Sequence, residues 1–101
     1  MAKAGRKEHS LALYETILKL KDLDECCRFF EDLCTVPELK AMSQRIAVAK
    51  MLSERHVYSD IVDKTGASTA TISRVNRSLN YGSDGYTLIF ERLLTGGGKE
   101  D

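Results

Sequence analysis

The chain has 101 residues, enough for one compact domain and too few for an enzyme with a separate binding domain. Fifteen Lys and Arg balance fifteen Asp and Glu, which excludes a protein that coats nucleic acid through bulk positive charge. No apolar run approaches the ~18 to 20 residues that cross a bilayer, and the start MAKAGRKEHS lacks the apolar core of a secretion signal, so a cytoplasmic protein with no membrane partner is expected.

Residues 1–10 read as a flexible arm, in which Lys3, Arg6 and Lys7 cluster near Gly5. From Leu11 to Leu23 the positions Leu11, Tyr14, Ile17 and Leu18 mark an amphipathic helix, and a second follows from about Asp24, with Cys27, Phe30, Leu33 and Cys34 on its stripe and Phe29 widening it. This pair carries more apolar surface than a chain of this length covers by itself, so burial between subunits is the economical expectation. Cys26, Cys27 and Cys34 read as buried reduced thiols: C-x-x-C spacing and a fourth ligand for zinc are both absent. His9 and His56 stand alone in sequence and read as surface residues.

Thr35-Val36-Pro37-Glu38 spells a capping box, with a hydroxyl three residues before a glutamate and the single proline in the first helical turn, where it is tolerated. A long helix then runs from about Val36 to Ser53, with Leu39, Met42, Ile46, Ala49 and Leu52 on its buried side. The charge is uneven along the chain. Asp22 to Glu38 holds six acidic residues and one Arg28, whereas Arg55 to Leu79 holds four basic and two acidic residues, so a neutral total hides a more basic stretch.

That stretch contains YSDIVDKTGASTATISRVNRSL, Tyr58 to Leu79. A bend between two short helices needs a residue at ease with positive φ, and Gly66 supplies it. Ser68 is an N-cap for a helix starting near Thr69. Along that helix Ile72, Val75 and Leu79 share a stripe, to be closed by Ile61 and Val62 with Thr65 beside the turn, while Ala70, Ser73, Arg74 and Arg77 gather opposite. The pattern is a helix-turn-helix that docks on double-stranded DNA. Methyl groups on Thr69 and Ala70 suit a thymine methyl, the hydroxyls of Ser68, Thr71 and Ser73 suit base edges or phosphates, and Arg74 and Arg77 suit the backbone. The same motif also serves as a protein–protein interaction module, which the neutral net charge leaves open. An enzyme is not expected. There is no catalytic set, no phosphate-cradling glycine loop and no metal cluster, no cofactor is expected, and Gly96 to Gly98 sit in a tail. Asn80 to Gly85 is a turn, and Tyr86, Ile89, Phe90, Leu93 and Leu94 mark a last helix before a flexible tail over 95–101.

Six helices with the motif in fourth and fifth place, and GASTATISRVNRSL at its heart, resemble the tryptophan repressor (Trp repressor) superfamily over roughly Leu11 to Leu94. Within it the chain is most similar to the small repressor-related proteins called YerC/YecD. The resemblance implies an all-α, six-helix fold in one domain over 11–94, an intertwined homodimer, and a palindromic operator with half-sites about one helical turn apart. It implies repression, and it matches Thr69, Ala70, Thr71 and Ser73 to the positions that meet DNA. Arg45 and Arg74 match the two arginines that enclose the indole and hold the carboxylate of tryptophan, with Thr35 and Ser78 as polar neighbours of that candidate ligand pocket. Val75 departs from the pattern, standing where the tryptophan repressor has a glycine beside the ligand, and Ser59 and Val62 occupy positions that are basic there. Tryptophan is therefore not expected as the effector, and whether another small molecule acts is open.

Overall fold

The computed structural model describes residues 8–96, and among these the regular elements are six α-helices and no strand. They are α1 (Glu8–Ile17), α2 (Leu23–Leu33), α3 (Val36–Ser53), α4 (Tyr58–Thr65), α5 (Thr69–Tyr81) and α6 (Gly85–Gly96). The expected all-α, six-helix class is what the chain forms. It divides into two compact units, Met1–Leu39 and Lys40–Asp101. The basic cluster at Lys3, Arg6 and Lys7 and the side chain of His9 lie outside the described residues; α1 takes in 8–10 of the expected arm over 1–10, and α6 takes in 95–96 of the expected tail over 95–101, whose remainder is likewise outside them.

In the first unit, helix boundaries are written by polar caps rather than by the apolar stripe. Helix α1 stops at Ile17, short of the expected Leu23, because the amides of Lys19 and Leu20 turn back to the carbonyls of Thr16 and Ile17, three residues away. Asp22 is then held in extended geometry, and its carboxylate accepts from the Glu25 amide at 2.9 Å, so α2 opens at Leu23. The Glu25 carboxylate reaches back to accept from the Lys21 amide, also at 2.9 Å. Helix α2 ends at Leu33. Cys34 is its C-cap in extended conformation, so it does not continue the helical face of Cys27 as expected. The three thiols are free but not buried: Cys27 is exposed, and Cys26 and Cys34 are half-buried. Helix α2 buries none of its residues; Leu23 at its start is 78% exposed and Leu18 before it 80%.

The capping box at the start of α3 is reciprocal. The Thr35 amide donates to the Glu38 carboxylate at 2.7 Å, and the Glu38 amide donates to the Thr35 hydroxyl at 3.2 Å. At its far end α3 closes on a Schellman motif, in which the amides of Arg55 and His56 donate to the carbonyls of Leu52 and Met51. Arg55 takes the left-handed conformation, φ 69°, that glycine usually fills there.

The core lies in the second unit and is small: Val48 and Ala49 from α3, Ile61 from α4, Ala67 from the turn, and Ile72 and Val75 from α5. Met51, Leu52, Val62, Tyr86 and Phe90 pack around it, the two rings stacked with centroids 6.0 Å apart. The buried side of α3 therefore differs from the expected stripe. Ala49 and Leu52 face inward as expected, but Val48 replaces Ile46, which is 53% exposed. Helices α4 and α5 meet α3 on its Val48 and Ala49 side.

Thr35, through its backbone amide first and its side chain second, holds the Glu38 carboxyl below its ordinary value of 4.5. A carboxylate depressed by folding stabilises fully above the unfolded value and loses that contribution as pH falls through the lower folded value. Stability followed by urea unfolding is thus expected to decline below pH 4.5 more gently in Glu38→Gln than in the parent; equal slopes would remove the box from the acid response.

Candidate nucleic-acid interface

Helices α4 and α5 form the expected helix-turn-helix, and each bend in it has a residue that suits it. Gly66 ends α4 with φ 74°, and its amide donates to the Val62 carbonyl. A Cβ on Gly66 meets nothing within 4 Å, so conformation and not space demands glycine there. Thr65 braces the bend, donating its hydroxyl to the Ile61 carbonyl at 2.7 Å and accepting from the Ala67 amide at 3.1 Å. Ala67 is a core residue that periodicity missed, since a lone small side chain in a turn carries no repeat.

Ser68 caps α5. Its hydroxyl oxygen accepts from the Thr71 amide at 3.1 Å, and the hydroxyl donates to the Thr71 hydroxyl at the same distance. The two hydroxyls are linked, and the Thr71 proton is left for an outside acceptor. The amides of Thr69 and Ala70 belong to the first turn, whose N–H groups have no intrahelical partner.

Burial decides which face of α5 looks outward. Ile72 is 0% exposed and Val75 is 2% exposed, as the spacing predicts, with Leu79 half-buried. Thr69, Ala70, Ser73, Arg74 and Arg77 are exposed, together with Ser68, and Thr71 is half-buried at the edge. The seven residues read as DNA-facing thus sit on the N-terminal turn and outer side of one helix. Among the described residues neither Arg74 nor Arg77 has a carboxylate within ion-pair distance; the ion pairs present are Arg28 with Asp24 and Lys50 with Glu54, and the His56 ring lies 3.6 Å from the Glu54 carboxylate.

The candidate ligand residues are dispersed in role. Thr35 belongs to the first unit and is engaged in the capping box. In the second unit Arg45 and Arg74 are exposed. Ser78 lines an open cavity of about 510 Å³ with Ile46, Gly82, Ser83, Gly85, Tyr86 and Ile89, and neither arginine lines it. Val75 is committed to the core, its branched side chain packed among Val48, Ile61 and Ile72. Among the described residues no group of three or more His, Cys, Asp or Glu is placed to hold a metal ion, and no helix is long and apolar enough to cross a membrane.

Comparison with known proteins gives concordant matches. The family model described as Trp repressor protein matches residues 8–94. The protein YerC of Bacillus subtilis (strain 168) is 56% identical over 81 residues, covering 80% of this chain and 78% of that protein. A crystal structure of a TrpR-like protein from Eubacterium eligens ATCC 27750 is 58% identical, with a TM-score of 0.84 over 95% of this chain and 96% of the other. A candidate Trp repressor from Staphylococcus aureus is 48% identical, with the same TM-score over 88% of this chain and 89% of that one.

The caps carry a stability signature. Ser68→Ala is expected to cost about 1 kcal/mol and Ser68→Gly only a few tenths, because glycine tolerates the cap position. Gly66→Ala is expected to cost about 1 kcal/mol by forcing an L residue into left-handed geometry. Urea unfolding of the three variants checks the order, and a Ser68→Gly protein as unstable as Ser68→Ala would contradict the cap assignment.

Proposed function

Because this chain belongs to the Trp repressor protein family, we propose that it is a homodimeric, sequence-specific DNA-binding transcriptional regulator that represses by occupying a palindromic operator in the cytoplasm. The observation that carries this reading is the outward face of α5: exposed Thr69, Ala70 and Ser73, the linked hydroxyls of Ser68 and Thr71, and two arginines without carboxylate partners among the described residues. Arg74 and Arg77 engage phosphates and set the register, while Thr69, Ala70, Thr71 and Ser73 meet base edges in the major groove.

Dimerisation is supported by the first unit. Leu13, Tyr14, Leu18, Leu23, Leu33 and Val36 are all more than two-fifths exposed there, and an apolar surface of that kind is normally covered. A second copy supplies the cover and brings two heads to half-sites about one helical turn apart. Residues 11–94 then act as one functional domain.

Recognition without tryptophan is the finer part of the proposal. Val75 fills space inside the head, and Ser78 lines a cavity that neither Arg45 nor Arg74 lines. Binding is expected without added ligand, and calorimetry with tryptophan is expected to give no saturable heat.

Selection of sites from random duplex DNA by the purified protein tests the central claim. The expected product is a palindrome whose affinity falls linearly in log–log form with salt, as phosphate contacts release counterions. Loss of a single base-reading contact is expected to cost roughly 1 to 3 kcal/mol. Ala70→Glu is expected to abolish binding in a folded dimer by setting a carboxylate against the DNA; unchanged affinity in that variant would sink the docking model.

A further inference from the structure

The reading head is joined to α3 by two kinds of contact with different consequences. The first is the apolar core, in which Val48 and Ala49 of α3 meet Ile61, Ala67, Ile72 and Val75. Such burial is strong but has no preferred direction, so it holds the head against α3 without fixing its angle. The second is one hydrogen bond. Gln44 of α3 donates from Nε2 to the Thr65 carbonyl at 3.2 Å, across 21 residues of sequence. Every other side-chain hydrogen bond among the described residues joins positions four apart or fewer.

The acceptor is well chosen. Thr65 is the last residue of α4, where helical carbonyls have no intrahelical donor, so Gln44 caps α4 from another helix. The Thr65 hydroxyl meanwhile donates to the Ile61 carbonyl and accepts from the Ala67 amide, so it ties both sides of the turn. Three bonds therefore converge on one half-buried residue, and only the one from Gln44 leaves the head.

We propose that Gln44 is a positioning residue that latches the helix-turn-helix to α3 and sets the angle at which α5 is presented, and with it the half-site spacing the dimer accepts. The inference rests on the DNA-binding dimer proposed above. Val75 fills the head from within and Gln44 fixes it from behind, so the chain's own side chains orient the head.

The test uses the full-length dimer and the best duplex that the parent protein recovers from a random pool, resynthesised with its half-sites moved together or apart by one base pair. Gln44→Met keeps length and helix preference but has no donor. It is expected to bind the original duplex about fivefold more weakly, the worth of one hydrogen bond, and to discriminate less between spacings than the parent. Non-specific binding and the dimer should be unchanged. Gln44→Lys, which restores a donor, should recover the spacing preference, a result that loss of stability alone does not give.

A folded Gln44→Met dimer with the parent's spacing profile overturns the latch while leaving DNA recognition intact. If the parent recovers no preferred duplex, DNA recognition falls and the latch falls with it. Should Gln44→Met not fold, NMR of the parent decides: slowly exchanging Gln44 side-chain amide protons support the bond, and freely exchanging ones overturn it.

Discussion

The orientation of α5 depends on the burial of Ile72 and Val75. These two residues, three apart on a 13-residue helix, are enclosed by Val48 and Ala49 of α3, Ile61 of α4 and Ala67 of the turn. Neither α4, with 8 residues, nor α5 is long enough to be stable alone, since isolated helices below about 12 to 15 residues are marginal in water. Burying one such side chain contributes about 1.5 to 3 kcal/mol. An exposed polar contact on the opposite face contributes far less, so the core decides the register and the outward residues follow from it. With Ile72 and Val75 inside, helical geometry leaves Ala70, Ser73, Arg74 and Arg77 outside.

The two units divide the work of folding unequally. All six buried apolar residues of the core, Val48, Ala49, Ile61, Ala67, Ile72 and Val75, belong to the second unit. Helix α2 has none, yet its caps are well made, with Asp22 and Glu25 satisfying amides at its start. Local polar chemistry therefore specifies where the first unit's helices begin, while its apolar surface has no partner within α2 itself. The proposed homodimer accounts for that asymmetry, since association would bring the exposed leucines into an interior. The thiols of Cys26, Cys27 and Cys34 are exposed or half-buried rather than buried: in sequence they share the apolar stripe of Phe30 and Leu33, but no core forms on α2.

What was legible in the sequence was what local chemistry writes. Thr35 and Glu38 announced the start of α3, Gly66 and Ser68 the bend and the second motif helix, and the spacing of Ile72 and Val75 its buried side. Legibility failed where the outcome depended on which neighbour a helix meets. Ile46 and Val48 are equally apolar, and only the position of the head on α3 decides that Val48 is enclosed. The end of α1 is not legible because Leu18 continues an apolar stripe that the backbone abandons. Gln44 carried no signal at all, since a polar residue on a helix looks solvated until its partner, 21 residues away, is brought beside it.

Arg74 and Val75 are best understood together. The resemblance assigned the counterpart of Arg74 to a ligand cleft, whereas helical geometry assigned it to the outer face; the two assignments compete only if there is a cleft for the arginine to line. Val75 bears on that directly. Its side chain occupies the core beside Ile61 and Ile72, where the resemblance has a glycine that leaves room for a ligand. In the proposed function, filling that room from within removes the demand on the arginine to hold a ligand carboxylate. The guanidinium then remains exposed and without a protein carboxylate among the described residues, a state that suits a phosphate oxygen, because arginine stays charged and presents a planar fork of donors. On the proposed reading, one added branched side chain thus fills the head from within and leaves its neighbour to the backbone of DNA, so that no amino acid is needed to complete the site.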